Sequence, residues 1–324
     1  MNILVTGAGG FLGRNLAKTL VSRGHRVWNF SRRPYPSLRE AGIETLCGNL
    51  QREADVLSAF KGMDAVFHVA SRVGIWGDRE EYYQTNVIGT QNVVKACRVH
   101  GIPRLIYTST PSVVFDGNDI CGADETRPYS QKFYNAYSET KAAAERMVLQ
   151  ANGGGLSTVA LRPHQIIGPD DPHLVPRLVD AAKKGRLKIV GSGKNLVDVT
   201  YIQNAVDAHL LAFEKLSPGS PVAGQAYFIG QERPVVLWEF INEILGRHRL
   251  PPITRKVPER VAFNIGLFFE SWYKFFNVKG EPPMTRFVAL QFSRSHYFSH
   301  EKAKRDFGYQ PRISLEQILD LLVR

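Results

Sequence analysis

The chain opens with Asn2-Ile-Leu-Val-Thr-Gly-Ala-Gly-Gly-Phe-Leu-Gly13, a short apolar run that ends in a glycine-rich turn. Such a run predicts a buried parallel strand. Helical spacing follows over residues 11–23, where one face carries Leu12, Leu16, Ala17 and Leu20. A strand, a tight turn and a helix in this order predict the first unit of an α/β fold built on a doubly wound parallel sheet.

The glycines at positions 7, 10 and 13 have the spacing of a phosphate-binding turn. Gly7 permits the tight turn, Gly10 lets backbone approach a pyrophosphate, and Gly13 allows close packing of helix on strand. The free N–H groups at the start of the helix, near Phe11 and Leu12, then face the phosphates. The alternative is a glycine-rich turn that binds nothing, but the strand–turn–helix context favours a Rossmann-type dinucleotide site.

The end of the second strand indicates which nicotinamide dinucleotide is bound. Arg26-Val-Trp-Asn-Phe30 reads as this strand, and an acidic residue about 20 residues after the glycines would bind the adenosine ribose. Ser31 stands there instead, followed by Arg32 and Arg33. A guanidinium suits a 2′-phosphate, so NADP(H) is preferred and NAD(H) is the second choice. The alternative is a pair of solvated arginines at the start of a loop.

Tyr137 and Lys141 stand four residues apart in Tyr-Ser-Glu-Thr-Lys, within a predicted helix over residues 135–151. This spacing places both on one helix face. A nearby ammonium would lower the pKa of the phenol and let Tyr137 exchange a proton with a substrate oxygen. Arg104-Leu-Ile-Tyr-Thr-Ser109 predicts a strand whose hydroxyl-rich end would bind that oxygen. Isolated Tyr-x-x-x-Lys pairs also occur on ordinary helices.

The chain resembles the extended short-chain dehydrogenases/reductases, and among them the 3β-hydroxysteroid dehydrogenase family. The similarity covers nearly the whole length. The phrases that carry it are residues 6–13, Asn86-Val-Ile-Gly-Thr90, Tyr107-Thr-Ser-Thr-Pro-Ser-Val-Val-Phe115, Tyr137-Ser-Glu-Thr-Lys141, Arg162-Pro-His164, Gly168-Pro-Asp-Asp-Pro172, Gly193-Lys-Asn-Leu-Val-Asp198, Tyr201-Ile202 and Phe307-Gly-Tyr-Gln-Pro311.

The resemblance implies a role for each matching residue. Tyr137 would be the acid/base, Lys141 its partner, Thr110 the hydroxyl that holds the substrate oxygen, and Asn86 the asparagine that supports the proton relay. Ser109 and Ser112 are near enough to Thr110 to share its assignment. The expected cofactor-binding positions are Gly7, Gly10, Phe11, Leu12, Ser31, Arg32, Asn49, Leu50, Val69, Ala70, Tyr137, Lys141 and Pro163.

Two branches of that family are most similar, a sterol 3-dehydrogenase branch and a bacterial 3-oxo acid reductase branch. Both would interconvert a 3-hydroxyl and a 3-ketone on a bulky hydrophobic substrate. The sterol branch typically carries an acidic residue where this chain has Ser31, which favours NADPH-linked reduction. A nucleotide-sugar epimerase or dehydratase is the rival enzyme, and a non-catalytic NADP-binding sensor is the rival outside enzymes.

The predicted organisation is a dinucleotide-binding Rossmann domain over residues 1–167, to which 188–215 return. Residues 168–324 are expected to form mainly a small C-terminal substrate-binding lobe, because Pro-rich and Gly-rich stretches interrupt the strand–helix rhythm from Gly168 onward.

Several residues are candidates for substrate contact. Arg72 and Trp76 follow a predicted strand, where the arginine could face a carboxylate, and Ser112 and His164 lie near the expected nicotinamide end. A surface-loop or packing role is the alternative for each. Residues 260–278 form the most aromatic stretch and read as an amphipathic helix for a lipid pocket, a membrane surface or a homodimer contact.

Composition limits the remaining classes. The net charge of +11 is compatible with an anionic substrate, an anionic membrane surface or simple solubility. Nucleic-acid binding is not expected, because the chain has neither a nucleic-acid motif nor an aromatic stacking platform. The three cysteines lack metal or disulfide spacing, so no metal site is predicted. A cytoplasmic protein with free thiols and without an N-terminal signal is expected. Cys47 and Cys97 are expected to be buried thiols.

Overall fold

A computed structural model describes residues 1–172 and 174–322 of the chain and shows strands and helices alternating through its first half. The strands are β1 (Asn2–Thr6), β2 (Arg26–Ser31), β3 (Glu44–Cys47), β4 (Ala65–His68), β5 (Arg104–Thr108), β6 (Ile120–Ala123), β7 (Ser157–Pro163), β8 (Ile166–Ile167), β9 (Ile189–Val190), β10 (Leu196–Val197), β11 (Thr200–Tyr201), β12 (Gln225–Ile229), β13 (Val235–Val236), β14 (Lys256–Val257) and β15 (His296–Phe298).

The helices are α1 (Phe11–Ser22), α2 (Pro36–Glu40), α3 (Glu53–Phe60), α4 (Arg79–Tyr83), α5 (Gly89–Val99), α6 (Ala136–Gln150), α7 (Leu174–Lys183), α8 (Ile202–Lys215), α9 (Leu237–Arg247), α10 (Glu259–Phe275), α11 (Arg286–Ser293), α12 (Glu301–Phe307) and α13 (Leu315–Leu321). A π-helical turn, Gln84–Ile88, joins α4 to α5, and a 3₁₀ turn, Pro111–Val114, follows β5.

Seven parallel strands form the main sheet in the order β12-β7-β5-β4-β1-β2-β3. Alternate side chains of each strand point to opposite faces. Ile3 and Val5 pack with α1 and α8 on one face, whereas Leu4 packs with α3, α5 and α6 on the other. Helices therefore cover both faces, and the predicted doubly wound Rossmann-type fold is confirmed.

The second half of the chain builds smaller sheets beside the main one. A four-stranded sheet has the order β13-β10-β15-β6. Two further sheets have two strands each, β8 with β11 and β9 with β14. Within residues 188–215, helix α8 packs on the main sheet, whereas β9 and β10 lie in the smaller sheets.

Two strands cross the predicted domain boundary at residues 167/168. Strand β6, from the first part, pairs with β15 in the small sheet, and β12, from the second part, is an edge strand of the main sheet. Neither exchange has a local signal in the sequence, because strand pairing over such separations depends on which edges remain free. The boundary at 167/168 itself stays a prediction.

The direction in which successive strands are added reverses between β1 and β4. Strands β2 and β3 follow β1 on one side, and β5, β7 and β12 follow β4 on the other. Open α/β sheets bind ligands in the crevice at such a point, beyond the carboxyl ends of the strands. The ends of β1, β2, β4, β5 and β7 therefore meet at the edge where a site is expected.

The thiols differ from expectation at one position. Cys97 is buried between α5 and the sheet, as predicted, but Cys47 is exposed and that prediction is wrong. Cys47 is the last residue of β3, which is the edge strand of the main sheet, so no neighbouring strand covers it.

Candidate active site

A cavity of about 990 Å³ opens at the carboxyl edge of the main sheet. All the predicted cofactor-binding residues lie in its wall, from the glycine turn to Pro163, together with Thr110 and Arg72. Asn86, Trp76, Ser112 and His164 lie around it but are not part of that wall. The residues brought together come from strand ends that are distant in sequence, as the fold requires.

The glycine turn is packed too tightly for larger side chains. Gly7 has φ +78°, and a Cβ there would lie 2.8 Å from the Ala70 Cα at the end of β4. A Cβ on Gly13 would lie 2.3 Å from the Gly7 carbonyl oxygen, so α1 begins directly against the turn. Backbone can therefore come close to a bound pyrophosphate at the start of α1.

Polar groups connect the turn to the end of β2. The buried Asn29 accepts a hydrogen bond from Ala8 N at 3.0 Å and donates one to Ser31 Oγ at 2.8 Å. Ser31 Oγ in turn donates to the Arg33 carbonyl at 2.7 Å. The Ser31 hydroxyl thus holds the backbone of the arginine loop, while Arg32 and Arg33 both face the cavity.

Among the described residues of the cavity wall, Asp171 is the one that carries a carboxylate. Its Oδ2 accepts hydrogen bonds from Leu174 N and Val175 N, each at 3.0 Å, and so caps the start of α7. It comes from the C-terminal half rather than from the end of β2. The wall at the end of β2 is therefore cationic.

Tyr137 and Lys141 both face the cavity from α6, whose first turn is capped by Asn135 through its hydrogen bond from Ser138 N at 2.8 Å. Lys141 is buried and its Nζ donates to the Thr108 carbonyl at 2.6 Å. The same Nζ lies 4.1 Å from the centre of the Tyr107 ring. Strand β5 thus anchors the lysine.

The pKa values differ from the simple expectation that Lys141 lowers the pKa of Tyr137. Burial raises the pKa of Tyr137 to about 12, and a hydrogen bond with Thr110 opposes this rise. Burial also lowers the pKa of Lys141 to about 7, although the Glu145 carboxylate opposes it. Since Nζ is directed at Thr108 and Tyr107, the phenol of the protein alone stays protonated.

Thr110 stands at the end of β5, where it caps the 3₁₀ turn. Its hydroxyl accepts from Ser112 N at 3.3 Å and donates to Ser112 Oγ at 3.2 Å. Thr110 faces the cavity beside Tyr137, whereas Ser112 is a partner of Thr110. Of the hydroxyl residues at this strand end, Thr108, Ser109 and Thr110 line the cavity wall and Ser112 does not.

Asn86 lies in the π-helical turn and is buried. Its side-chain amide accepts from Arg72 N at 2.7 Å and donates to the Arg72 carbonyl at 3.1 Å and to Thr140 Oγ1 at 3.0 Å. Asn86 therefore joins the Arg72 loop to the helix that carries Tyr137 and Lys141. Single-turn π-bulges often occur at functional sites.

Arg72 faces the cavity, with its guanidinium paired with Glu81 and 5.2 Å from the centre of the Tyr82 ring. Trp76 instead packs edge-on against Tyr273 of α10, with ring centres 6.4 Å apart. The loop after β4 thus connects the cavity to α10.

His164 is buried and stacks on His296 of β15, with 4.9 Å between ring centres. His164 Nε2 and His296 Nδ1 share a hydrogen bond of 3.0 Å, and burial lowers the pKa of both rings. A neutral histidine pair therefore joins the end of β7 to the small sheet.

Sequence reasoning missed several wall residues that come from outside the expected motifs, among them Tyr35, Gln165, Ile166 and Leu174. Gln165 has φ +35°, an unusual conformation for a residue other than glycine, and directly follows Arg162-Pro-His164. Its place after a strand end was a usable signal. Tyr35 and Leu174 carried no such signal, because they reach the wall through packing between segments far apart in sequence.

A buried ion pair between Glu145 of α6 and Arg162 of β7 joins this helix to the main sheet. Arg162 of β7 donates to Glu145 from Nε at 3.0 Å and from Nη2 at 2.6 Å, and the Tyr129 hydroxyl donates to Glu145 at 2.7 Å. Both charged side chains are almost fully buried. This pair fixes α6, and so Tyr137 and Lys141, against the sheet.

The residues present fit a nicotinamide dinucleotide. The glycine cradle, which side chains would fill, would hold the pyrophosphate, and the cationic end of β2 would hold the adenosine end. Tyr137 and Lys141 line the same cavity and would stand beside the nicotinamide. When bound, this cofactor supplies or accepts a hydride.

Comparison with known proteins agrees with the fold and with the class of reaction. The 3-beta hydroxysteroid dehydrogenase/isomerase family model matches residues 4–254. A 2-alkyl-3-oxoalkanoate reductase of Stenotrophomonas maltophilia is 48% identical over 98% of this chain and 97% of its own length. The mouse (Mus musculus) sterol-4-alpha-carboxylate 3-dehydrogenase, decarboxylating, is 36% identical over 99% of this chain and 89% of its own.

Among solved structures, MoeE5 in complex with UDP-glucose and NAD has a TM-score of 0.75 and 26% identity, with 100% of this chain and 97% of MoeE5 covered. The family match covers most of the chain, and the relatives named as reductase or dehydrogenase span nearly all of it. The resemblance read from the motifs is thereby confirmed. The chain belongs to the 3-beta hydroxysteroid dehydrogenase/isomerase family and is an NAD(P)-dependent oxidoreductase.

Proposed function

We propose that this protein is an NADPH-linked reductase that converts the 3-ketone of a bulky hydrophobic 3-oxo acid to the 3-hydroxyl. The observation that carries the proposal is a wall in which Tyr137 and Lys141 share one cavity with the arginines at the end of β2. The 48% identity to a 2-alkyl-3-oxoalkanoate reductase supports the substrate class. A 2-alkyl-3-oxoalkanoate is therefore the first substrate to test.

Each residue has a distinct part in this reaction. Tyr137 donates its phenolic proton to the ketone oxygen as the hydride reaches the ketone carbon. Thr110 holds that oxygen, and Lys141 supports the phenolate that remains and binds a ribose hydroxyl. Asn86 helps to resupply the proton to Tyr137, and through its hydrogen bonds to Arg72 and Thr140 it also keeps the two sides of the site in register.

The protonated phenol of Tyr137 is the state in which the reductive direction begins. A group that must give up a proton has to be protonated beforehand, and burial holds the pKa of Tyr137 at about 12. The phenol is therefore fully protonated at neutral pH. Oxidation would need the opposite charge state at the start of the reaction.

Arg72 is the proposed partner of the substrate carboxylate. Its backbone is fixed by Asn86, but its guanidinium is paired with Glu81, whose side chain is more than half exposed at 56%. Exposed ion pairs contribute little, about 0–1 kcal/mol, so a carboxylate in the cavity can replace Glu81 at small cost. Trp76, Ser112 and His164 are proposed to shape the same end of the site from behind the wall.

We also propose peripheral contact between α10 and a lipid surface. The inner side of α10 is small or polar, with Gly266 against the backbone of Thr285 and Glu270 paired with Arg286. Its exposed apolar side chains are Val261, Ile265, Leu267, Phe268, Trp272 and Phe275, and the exposed Phe276 and Val278 follow the end of the helix. Among the described residues no helix combines the length and hydropathy that crossing a bilayer requires.

A homodimer through the same helix is the alternative use of this surface. Arg255, Lys256 and Arg260 precede or begin α10, and a basic rim suits anionic headgroups better than a second basic copy. The free cysteines agree with a reducing compartment such as the cytoplasm.

Two rival activities differ in the cofactor or the substrate. NAD-linked oxidation of a sterol 3-hydroxyl follows the relatives that are 36% identical, and Ser31 with two arginines argues against it. A nucleotide-sugar reaction follows structural neighbours of lower identity, such as MoeE5 at 26%. The exposed aromatic surface of α10 gives no support to a sugar substrate.

The test is a titration of the purified protein with NADPH and with NADH, followed by nicotinamide fluorescence, and then turnover with a 2-alkyl-3-oxo acid. Tighter NADPH binding and NADPH-dependent reduction are expected. Preference for NADH together with oxidation of a sterol 3-hydroxyl would replace this proposal with the sterol reaction. Binding of UDP-glucose with an affinity similar to that of the 2-alkyl-3-oxo acid would favour the sugar-nucleotide alternative.

A further inference from the structure

Tyr35 lies directly on the glycine turn, although it comes from the loop after β2. A Cβ on Gly9 would lie 2.1 Å from Cζ of the Tyr35 ring and 2.4 Å from Cε2. The ring therefore occupies the space that a side chain at position 9 would need. Tyr35 is half-buried and forms part of the cavity wall with Gly10 and Arg33.

Arg33 stacks on this ring. Its guanidinium carbon is 5.5 Å from the centre of the Tyr35 ring, within the range of a cation–π contact. Its backbone carbonyl is held by Ser31 Oγ at 2.7 Å, and through Asn29 that hydrogen-bond chain reaches Ala8 N in the glycine turn. Arg33 is thus tied to the turn at both its backbone and its side chain.

Arg32 differs from its neighbour. Both arginines are exposed in the cavity wall, but the side chain of Arg32 has no hydrogen bond, ion pair or ring contact with another described residue. A guanidinium that is already held in place loses less conformational freedom when it binds an anion. Two arginines stand at the expected 2′-phosphate position, and one of them is pre-organised.

We propose that Tyr35, packed on Gly9, is a positioning residue that holds Arg33 ready for the 2′-phosphate and so sets the preference for the phosphorylated adenosine. This inference rests on the proposed use of NADPH. It adds that Arg33, and not Arg32 alone, recognises the phosphate through charge-assisted hydrogen bonds. The adenosine and pyrophosphate contacts are expected not to depend on Tyr35.

The test is calorimetric binding of adenosine 2′,5′-bisphosphate and of 5′-AMP, two probes that differ only in the 2′-phosphate. Tyr35→Ala is expected to weaken bisphosphate binding about tenfold, which is about 1.4 kcal/mol, and to leave AMP binding within about twofold. Tyr35→Phe keeps the ring and should behave as the native protein. Arg33→Ala should lose at least as much as Tyr35→Ala.

A double variant separates positioning from general packing. Because Tyr35 is proposed to act through Arg33, Arg33→Ala combined with Tyr35→Ala should bind the bisphosphate no more weakly than Arg33→Ala alone. Additive losses, or equal weakening of both probes by Tyr35→Ala, would overturn the inference. AMP binding also reports whether each variant is folded.

The proposed function and this inference fail in different ways. If the native protein binds both probes equally, the NADPH preference itself is wrong. A second outcome is that the native protein prefers the bisphosphate and loses that preference in Arg32→Ala but not in Tyr35→Ala. In that case the NADPH proposal stands and the role of Tyr35 is refuted.

Discussion

The phenol of Tyr137 and the ammonium of Lys141 are neighbours on one helix face, yet they are held by different surroundings. Tyr137 is near Thr110 at the cavity wall, whereas Lys141 is directed at the carbonyl of Thr108 and the ring of Tyr107. Burial raises the pKa of the phenol to about 12 and lowers that of the ammonium to about 7. At neutral pH the site therefore holds a protonated acid beside a lysine that is easily made neutral.

Replacing Tyr137 by Phe removes the proposed proton donor without changing the shape of the cavity. Turnover of a 2-alkyl-3-oxo acid should fall by about 10²- to 10⁴-fold, the usual contribution of general acid catalysis. The dissociation constant for NADPH, measured by nicotinamide fluorescence, should change little. Tyr83→Phe, at an exposed position in α4, is the matched control and should keep native turnover. Native turnover by Tyr137→Phe would refute the role of Tyr137.

Replacing Lys141 by Met should change the pH dependence of stability. The ordinary lysine pKa is 10.5 and burial lowers it to about 7 here, so between these values the unfolded chain binds a proton that the folded chain lacks. Native stability therefore rises with pH across this window, by up to about 1.4 kcal/mol per pH unit. The Met variant lacks this dependence. As pH falls from 10 to 7, the free energy of unfolding of the native protein should therefore decrease relative to that of the Met variant.

Urea unfolding of both proteins at several pH values measures this difference. Lys18→Met, at an exposed position on α1, is the control, and its difference from the native protein should stay constant over the same range. A constant difference for Lys141→Met as well would mean that the lysine keeps its ordinary pKa in the folded protein.

At the scale of elements, α1 depends on the turn before it. A Cβ on Gly13 would lie 2.3 Å from the Gly7 carbonyl oxygen, so Gly13→Ala must displace the turn or the helix. We expect Gly13→Ala to weaken NADPH binding at least tenfold, or about 1.4 kcal/mol, and to lower the melting temperature. Fluorescence titration and thermal unfolding measure the two effects.

Gly246→Ala provides the contrast, since Gly246 lies in α9 with open space around its Cα. A helical glycine replaced by alanine should stabilise the fold by up to about 1 kcal/mol. NADPH binding should be unchanged. Equal effects of the two substitutions would show that the glycine turn tolerates a side chain.

Helix α6 depends on the ion pair between Glu145 and Arg162. Glu145→Gln keeps the shape but leaves the guanidinium buried without a counter-charge, which typically costs about 3–5 kcal/mol of unfolding free energy. Glu214→Gln removes the exposed partner of Arg23 and should cost no more than about 1 kcal/mol. Urea unfolding compares the two, and similar small losses would mean that the buried pair does not anchor α6.

At the scale of the whole molecule, the loop after β4 connects the cavity of the candidate site to the surface helix α10 through Trp76 and Tyr273. Phe275 at the end of α10 is 82% exposed and Phe268 is 59% exposed, which is unusual for phenylalanine. The proposed contact of α10 with a lipid surface rests on these exposed side chains. The net charge of +11 would favour an anionic surface.

Vesicle sedimentation tests this surface. The native protein should bind vesicles that contain phosphatidylglycerol, less so at high salt because screening weakens the attraction. Replacing both Trp272 and Phe275 by Ser should reduce binding at least tenfold, or about 1.4 kcal/mol. Val99→Ser, a control at an exposed apolar position at the end of α5, should bind as the native protein does. Concentration-dependent dimers without vesicle binding would assign α10 to a second copy.

Local signals in the sequence determined the central features of this protein. The run from Asn2 to Gly13 identified β1, the turn and α1, since a tight turn and close packing at these positions need glycine. The spacing of Tyr137 and Lys141 placed them together, because helical geometry brings residues four apart to one face. The family resemblance followed from the motifs and is confirmed by the comparisons.

Tertiary structure alone decided the rest. The exchange of β6 and β12 between the sheets, the approach of Tyr35 to Gly9, and the partners of Lys141 all join residues far apart in the chain. The direction of the pKa shift of Tyr137 depended on burial, which no spacing of residues reveals. Sequence patterns report local geometry, whereas burial and long-range contacts depend on how the whole chain packs.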